Sequence, residues 1–89
     1  MEASIKIFGN VQGVSFRYYT VQKARELNLT GWIKNAPDGT VEILAQGEKK
    51  ALQKLMAWAR EGPQGAEVKK VVLAWRQPQA VFETFEIHY

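Results

Sequence analysis

The chain has 89 residues, 46% of them hydrophobic, which is the size of one domain near the lower limit for independent folding. It has no cysteine and one histidine, His88, so disulfides, zinc fingers, iron–sulfur clusters and thiol catalysis are excluded and histidine chemistry is disfavoured. The net charge of +3 suits a small anionic ligand but does not indicate nucleic-acid binding. No apolar run approaches the roughly 18 residues of a membrane span, so we expect a cytoplasmic protein with no membrane partner.

The first half of the chain predicts a strand, a helix and a hairpin. Ile5 and Ile7 alternate with polar residues, which is typical of a half-buried strand. Pro37 and Gly39 flank an aspartate in a segment with the composition of a tight turn. The predicted elements are a strand over 4–8, a helix over 17–28 and two strands over 30–36 and 40–46. The apolar stripe of that helix is predicted to be Tyr18, Val21, Ala24 and Leu27.

The second half predicts a helix and two more strands. The elements are a helix over 49–60, a strand over 68–75 and a short final strand over 85–89. The order is therefore βαββαβ with an extra strand at the end. Because βαβ crossovers are right-handed, both helices should cover one face of an antiparallel sheet. This arrangement is an α+β fold, the ferredoxin-like α/β plait.

The segment from Gly9 to Arg17, GNVQGVSFR, joins the first strand to the first helix. Two glycines four residues apart allow a turn that directs backbone N–H groups to one point, and the helix start adds further N–H groups. Arg17 supplies a planar, permanently charged group that matches two phosphate oxygens. The segment predicts an anion-binding loop. The spacing alone is equally compatible with a tight strand–helix turn that leaves Arg17 on the surface.

Asn35 is the second candidate, because it lies at the end of the second strand just before the turn. A side-chain amide donates and accepts hydrogen bonds at once, which suits it to orienting a water molecule. An asparagine that caps the turn is the alternative interpretation.

Taken together, these segments resemble the acylphosphatase family. The sequence VQGVSFR at 11–17 is followed by GWIKN at 31–35 and DGTVE at 38–42, and the resemblance extends to FEIHY at 85–89. It implies the hydrolysis of acyl phosphates to a carboxylate and inorganic phosphate. It implies no metal and no organic cofactor.

The resemblance also implies a role for each site residue. Arg17 would bind the phosphate, and Asn35 would position the attacking water. The backbone N–H groups of Gln12, Gly13, Val14, Ser15 and Phe16 would complete the phosphate cradle. Phosphoryl transfer depends chiefly on positioning and charge stabilisation, and a carboxylate is a good leaving group, so this set needs no general acid. We infer that the substrate phosphate accepts the proton of the water.

Three residues depart from the family pattern. Asn10 stands where a basic or hydroxyl residue is frequent, Ser15 where glycine or an aromatic is frequent, and His88 where arginine is frequent.

Two other functions suit the same fold. One is a non-catalytic regulatory domain that senses a small anion, against which only the pairing of Arg17 with Asn35 argues. The other is RNA recognition, which is disfavoured because the predicted strand over 40–46 has no aromatic ring for base stacking. We therefore expect a monomeric enzyme whose ligands are an acyl phosphate and inorganic phosphate, with no nucleic-acid partner.

Overall fold

The computed structural model describes residues 1–13 and 15–89, so Val14, one of the predicted cradle residues, lies outside the described residues. The elements are β1 (Glu2–Asn10), α1 (Phe16–Glu26), β2 (Thr30–Asn35), β3 (Val41–Gln46), α2 (Lys49–Glu61), β4 (Glu67–Arg76) and β5 (Phe85–Ile87). Each predicted element is present, with ends that differ by no more than two residues. In the described part of the chain, neither helix has the length and apolar character needed to cross a membrane.

The five strands form one sheet in the order β4-β1-β3-β2-β5. The four longer strands pair antiparallel, but β5 runs parallel to β2, with Phe85 opposite Gly31. The ferredoxin-like plait is confirmed, with the correction that the sheet is mixed and not wholly antiparallel. The reason is topological. The C-terminal end of β4 and the N-terminal end of β2 lie at the same end of the sheet, so a strand that starts there beside β2 must run parallel to β2.

The core lies between the two helices and one face of the sheet. It includes Ile5, Ile7, Ile33, Val41, Ile43, Leu52, Leu55 and Phe85. The predicted stripe of α1 is wrong at one end, because Tyr18 is 55% exposed. The buried residues of α1 are Phe16, Thr20, Val21 and Ala24. Phe16 begins the stripe two residues earlier and packs against Trp58, with ring centroids 5.6 Å apart, which rotates Tyr18 outward.

The loop after β1 and the β2–β3 hairpin lie at the same end of the sheet. Val41, at the start of β3, pairs with Ile7 on one side and with Asn35 on the other. The register of β1 against β4 shifts between Phe8 and Gly9. Gly9 has φ 131°, and a Cβ there would collide with the carbonyl oxygen of Glu67. The fold therefore brings both predicted site segments to one place.

Candidate active site

A cavity of about 310 Å³ lies where the loop after β1 meets the end of β2. Its lining residues are Val11, Gly13, Ser15, Phe16, Arg17, Tyr18, Asn35 and Ile87. The structure thus brings Arg17 and Asn35 together with three of the predicted cradle residues. Arg17 is the charged member of this described lining, so the cavity favours an anion.

The loop owes its shape to its backbone. Gly13 has φ 76° and Ser15 has φ 60°, both in the left-handed region. Left-handed residues in such a loop turn neighbouring N–H groups toward a common concavity that suits an anion. Glycine adopts this conformation freely, whereas for a residue such as serine it costs roughly 1–2 kcal/mol. Ser15 therefore holds a strained position next to the cavity.

The start of α1 adds its own electrostatic contribution. Ser15 is the N-cap residue, and its side chain makes no capping hydrogen bond in the described part of the chain. The first N–H groups of a helix have no partner within the helix, and they carry a partial charge of about +0.5. Since Ser15, Phe16 and Arg17 all line the cavity, the positive end of α1 lies at its wall.

Gln12 fastens the loop to the hairpin. Its side-chain amide nitrogen donates to the carbonyl oxygens of Ala36 and Thr40, each at 2.8 Å. Sequence reasoning considered only the backbone of Gln12 and missed this role, because bonds across 24 and 28 residues leave no local pattern. The bonds fix the cradle relative to Asn35, which directly precedes Ala36.

Side-chain contacts also hold the hairpin turn in shape. One carboxylate oxygen of Asp38 accepts hydrogen bonds from the backbone N–H and the hydroxyl of Thr40, at 3.1 and 2.5 Å. The other lies 3.0 Å from the ammonium group of Lys6. These contacts lower the pKa of Asp38 to about 2, and the hydrogen bond from the Thr40 hydroxyl has the largest effect. Asp38 therefore organises the turn as a carboxylate.

Asn35 differs from the polar groups around it. Its side-chain oxygen Oδ1 is buried and accepts no hydrogen bond from the described residues. A buried acceptor without a partner costs about 1–3 kcal/mol, so such a group is rare unless it serves a purpose. Because Asn35 lines the cavity, this oxygen is available to a water molecule or ligand there.

The last residue of the chain lies beside Arg17. The ring centroid of Tyr89 is 5.1 Å from the guanidinium carbon of Arg17. Tyr89 is 99% exposed, so this cation–π contact is in water and is worth no more than about 0.5–1 kcal/mol. The contact leaves the guanidinium of Arg17 able to bind an anion.

Comparison with known proteins identifies the family. The acylphosphatase family model matches residues 3–87. The chain therefore belongs to the acylphosphatase family. This membership makes it an enzyme that hydrolyses acyl phosphates to a carboxylate and inorganic phosphate.

Individual relatives agree over nearly the whole chain. An acylphosphatase of Thermococcus kodakarensis is 39% identical over 87 residues, which are 98% of this chain and 94% of the relative. One of Acaryochloris marina is 47% identical over 81 residues, 91% of this chain and 86% of the relative. The crystal structure of acylphosphatase from Bacillus subtilis superimposes with a TM-score of 0.93 at 36% identity and covers 99% of this chain and 98% of that one.

A larger groove on the acylphosphatase surface has no predicted site residue in its described lining. It measures about 580 Å³ and lies between α1, α2 and the segment after α2. Its lining residues are Tyr19, Gln22, Lys23, Glu26, Trp58, Pro63 and Gln64. Size alone would select this groove, but its charges are mixed and it lacks the loop backbone. The smaller cavity has Arg17 and the loop backbone in its lining and is therefore the candidate site.

Sequence reasoning also missed three residues that line the smaller cavity, Val11, Tyr18 and Ile87. Tyr18 was assigned to the buried stripe of α1, and Ile87 was treated only as a strand residue. The alternating sequence FEI at 85–87 predicts a strand but gave no sign that this strand would pair beside β2 and place Ile87 close to Asn35.

Proposed function

We propose that the cavity at the start of α1 is the active site of this acylphosphatase. In this proposal Arg17 and the backbone N–H groups of Gln12, Gly13, Val14, Ser15 and Phe16 hold the phosphoryl group, and Asn35 orients the attacking water. The observation that carries the proposal is the convergence on one cavity of Arg17, the left-handed residues Gly13 and Ser15, and the Oδ1 of Asn35, which has no hydrogen-bond partner among the described residues.

Arg17 acts on the charge of the substrate. An acyl phosphate carries about two negative charges at neutral pH, and these spread over the peripheral oxygens during transfer. A guanidinium binds two such oxygens in a bidentate manner, and the positive end of α1 adds to the same field. These groups are fixed before the substrate arrives, so they stabilise the transition state without reorganisation.

Asn35 acts on the nucleophile. Its Oδ1 accepts a hydrogen bond from a water molecule and holds a lone pair of that water toward phosphorus. A bond then forms between the water oxygen and phosphorus, and the bond between phosphorus and the acyl oxygen breaks. The bonding electron pair leaves with the carboxylate, and a phosphate oxygen accepts the proton of the water. Because the leaving group is a weak base, no side chain has to donate a proton.

The test is the hydrolysis of benzoyl phosphate by the unmodified chain and by Arg17→Gln. We expect the substitution to lower kcat/KM about 100-fold or more and to weaken competitive inhibition by inorganic phosphate, because it removes a charge-assisted bidentate contact. Arg60→Gln is the matched control, since Arg60 lies on the exposed side of α2 away from the cavity. Equal activity in the Arg17→Gln variant and the unmodified chain would overturn the assignment.

The same assay also distinguishes an anion sensor from an enzyme. Phosphate binding with turnover no faster than the uncatalysed background in every variant would favour the sensor and overturn the proposal. We also propose that activity is unaffected by EDTA, because Arg17 and the loop backbone supply the positive field that a metal would otherwise provide.

We propose that the enzyme works as a cytoplasmic monomer without nucleic-acid or membrane partners. The proposal is supported by the fact that one copy of the chain already brings Arg17, the loop after β1 and Asn35 to one cavity. The absence of cysteine and the small net charge of +3 are in keeping with the cytoplasm and with a small anionic ligand. Light scattering at the concentrations used in the assay measures the oligomeric state, and a dimer mass would contradict this part of the proposal.

A further inference from the structure

A second groove, of about 480 Å³, adjoins the phosphate cavity. The two share Tyr18 and Ile87, which form part of the lining of each. The groove is lined by Tyr18, Val21, Gln22, Arg25, Glu86, Ile87 and Tyr89. Tyr89 gives a further link, because its ring lies against Arg17 of the cavity. A ligand that fills the cavity and extends beyond it would therefore enter this groove.

The groove follows one face of α1. Tyr18, Val21, Gln22 and Arg25 have the spacing i, i+3, i+4 and i+7, which places them in one row along the helix. At 1.5 Å per residue, the backbone of Arg25 lies about 10 Å along the axis from that of Tyr18. The groove therefore begins at the phosphate cavity and leads away from the positive end of the helix.

The groove is apolar where it meets the cavity and polar at the other end. Tyr18 and Ile87 are its aromatic and aliphatic walls at the shared end, and Val21 is only 8% exposed. The hydroxyl of Tyr18 accepts a hydrogen bond of 2.9 Å from Gln22, which restrains the ring. Arg25 donates to the carbonyl oxygen of Phe85 at 3.1 Å and is thereby tied to β5.

We propose that this groove binds the acyl group of the substrate and that Tyr18 is a specificity-determining residue. The inference rests on the proposed function, because it places the phosphoryl group beside Arg17. The acyl carbon is joined to the phosphate through one oxygen, so the acyl group must begin at the mouth of the cavity, where Tyr18 and Ile87 lie. Acyl phosphates with an aromatic or extended aliphatic group bury a large apolar surface against these walls, whereas acetyl phosphate has only one methyl group to place there.

The test compares benzoyl phosphate with acetyl phosphate in each variant. The measured quantity is the kcat/KM for benzoyl phosphate divided by the kcat/KM for acetyl phosphate. When this ratio is compared between variants, the difference in intrinsic reactivity of the two substrates cancels. We expect Tyr18→Ala to lower the ratio about three- to tenfold, as expected for the loss of one face of a partly open aromatic contact. Tyr19→Ala is the matched control. Tyr19 is 45% exposed on the same helix, but it lines the larger groove of about 580 Å³ and not the proposed acyl groove.

Two further substitutions and one further measurement complete the design. Tyr18→Phe should keep the ratio within about twofold of the unmodified chain, since it retains the ring, and Ile87→Ala should lower it as Tyr18→Ala does. The inhibition constant of inorganic phosphate should change less than the ratio, because phosphate has no acyl group to place in the groove.

The inference fails if Tyr18→Ala lowers kcat/KM for both substrates by the same factor, or if Tyr19→Ala lowers the ratio equally. Failure of the proposed function has a different signature: Arg17→Gln would then leave the hydrolysis of both substrates unchanged.

Discussion

The two segments that meet at the candidate active site are held in shape by different means. The described part of the loop after β1 depends on backbone conformation, since Gly13 and Ser15 have left-handed φ angles and the Ser15 side chain makes no capping hydrogen bond to a described residue. The hairpin turn over 36–40 depends on side chains, chiefly the Asp38 carboxylate and the Thr40 hydroxyl. In the proposed site, the loop after β1 contributes backbone N–H groups, and the hairpin holds the side-chain amide of Asn35 in place.

This difference predicts that phosphate affinity and turnover can be separated by mutation. A cradle made of backbone N–H groups is changed little by side-chain replacement, so its affinity should depend mainly on Arg17. In the proposed mechanism, water positioning depends on the side chain of Asn35 and on the contacts that hold the end of β2 in place. Substitutions in the hairpin should therefore lower kcat more than they weaken phosphate binding.

Apart from Arg17→Gln, the largest effect is expected for Asn35→Ala. It should lower kcat about 100-fold, equivalent to about 2.7 kcal/mol of transition-state stabilisation, because the water loses its acceptor. The inhibition constant of inorganic phosphate should stay within about threefold, since the cradle is unchanged. Steady-state kinetics with benzoyl phosphate and phosphate as inhibitor measure both values.

Asn10→Ala is the control for this substitution. Asn10 is exposed at the end of β1 and is absent from the described lining of the cavity, so its replacement should leave both constants unchanged. If Asn35→Ala abolished phosphate inhibition together with turnover, Asn35 would belong to the cradle and the contrast between the two segments would collapse.

An intermediate effect is expected for Gln12→Ala, which breaks the link between the segments. Each lost hydrogen bond is worth about 1 kcal/mol, so the free energy of unfolding should fall by about 1–2 kcal/mol. Asn35 would then be less well fixed relative to the cradle, and kcat should fall about tenfold. Urea unfolding and steady-state kinetics measure the two effects.

Gln12→Glu sharpens this test, because it is nearly isosteric but replaces the donating amide with a carboxylate facing two carbonyl oxygens. It should destabilise more than Gln12→Ala does. Gln53→Ala, on the exposed side of α2, is the control. A Gln12→Ala variant with lower stability but unchanged kcat would show that Gln12 supports the fold without positioning Asn35.

Local pattern was enough to predict the elements of this fold. Ile5 and Ile7 alternate as strand residues do, and Pro37 and Gly39 have turn chemistry, so the hairpin and its neighbours were predicted within two residues of their ends. The direction of β5 was not predictable in this way. It follows from the connection over residues 77–84, which leads from β4 on one side of the sheet to β5 on the other. The periodicity of the sequence does not predict such a path.

The same distinction applies to the candidate site. Arg17 and Asn35 were found because their motifs are local, and the structure brings them to one cavity, although their roles remain predictions. The side-chain role of Gln12 and the exposure of Tyr18 were missed. Both depend on tertiary contacts: the bonds of Gln12 reach the hairpin, and the packing of Phe16 on Trp58 rotates Tyr18 out of the core.

The smallest expected effect concerns stability at acid pH. It tests whether side-chain contacts hold the hairpin turn in shape. The folded pKa of Asp38 is lowered from 3.8 to about 2. A carboxyl whose pKa is lower in the folded state stabilises the fold above its unfolded pKa, and this contribution is lost as the pH falls through the folded value. The stabilisation should therefore be complete above about pH 4 and disappear toward pH 2.

Urea midpoints measured across this range should fall less steeply for Asp38→Asn than for the unmodified chain, because the variant has no carboxyl to titrate there. Thr40→Val removes the hydroxyl that contributes most to the lowered pKa, so it should move the acid loss of stability to higher pH. The effect should be modest, since Asp38 is about half exposed and its ion pair with Lys6 is screened by solvent. Parallel curves for Asp38→Asn and the unmodified chain would mean that the charge of Asp38 does not hold the turn, and Gln12 would then be the main support of Asn35.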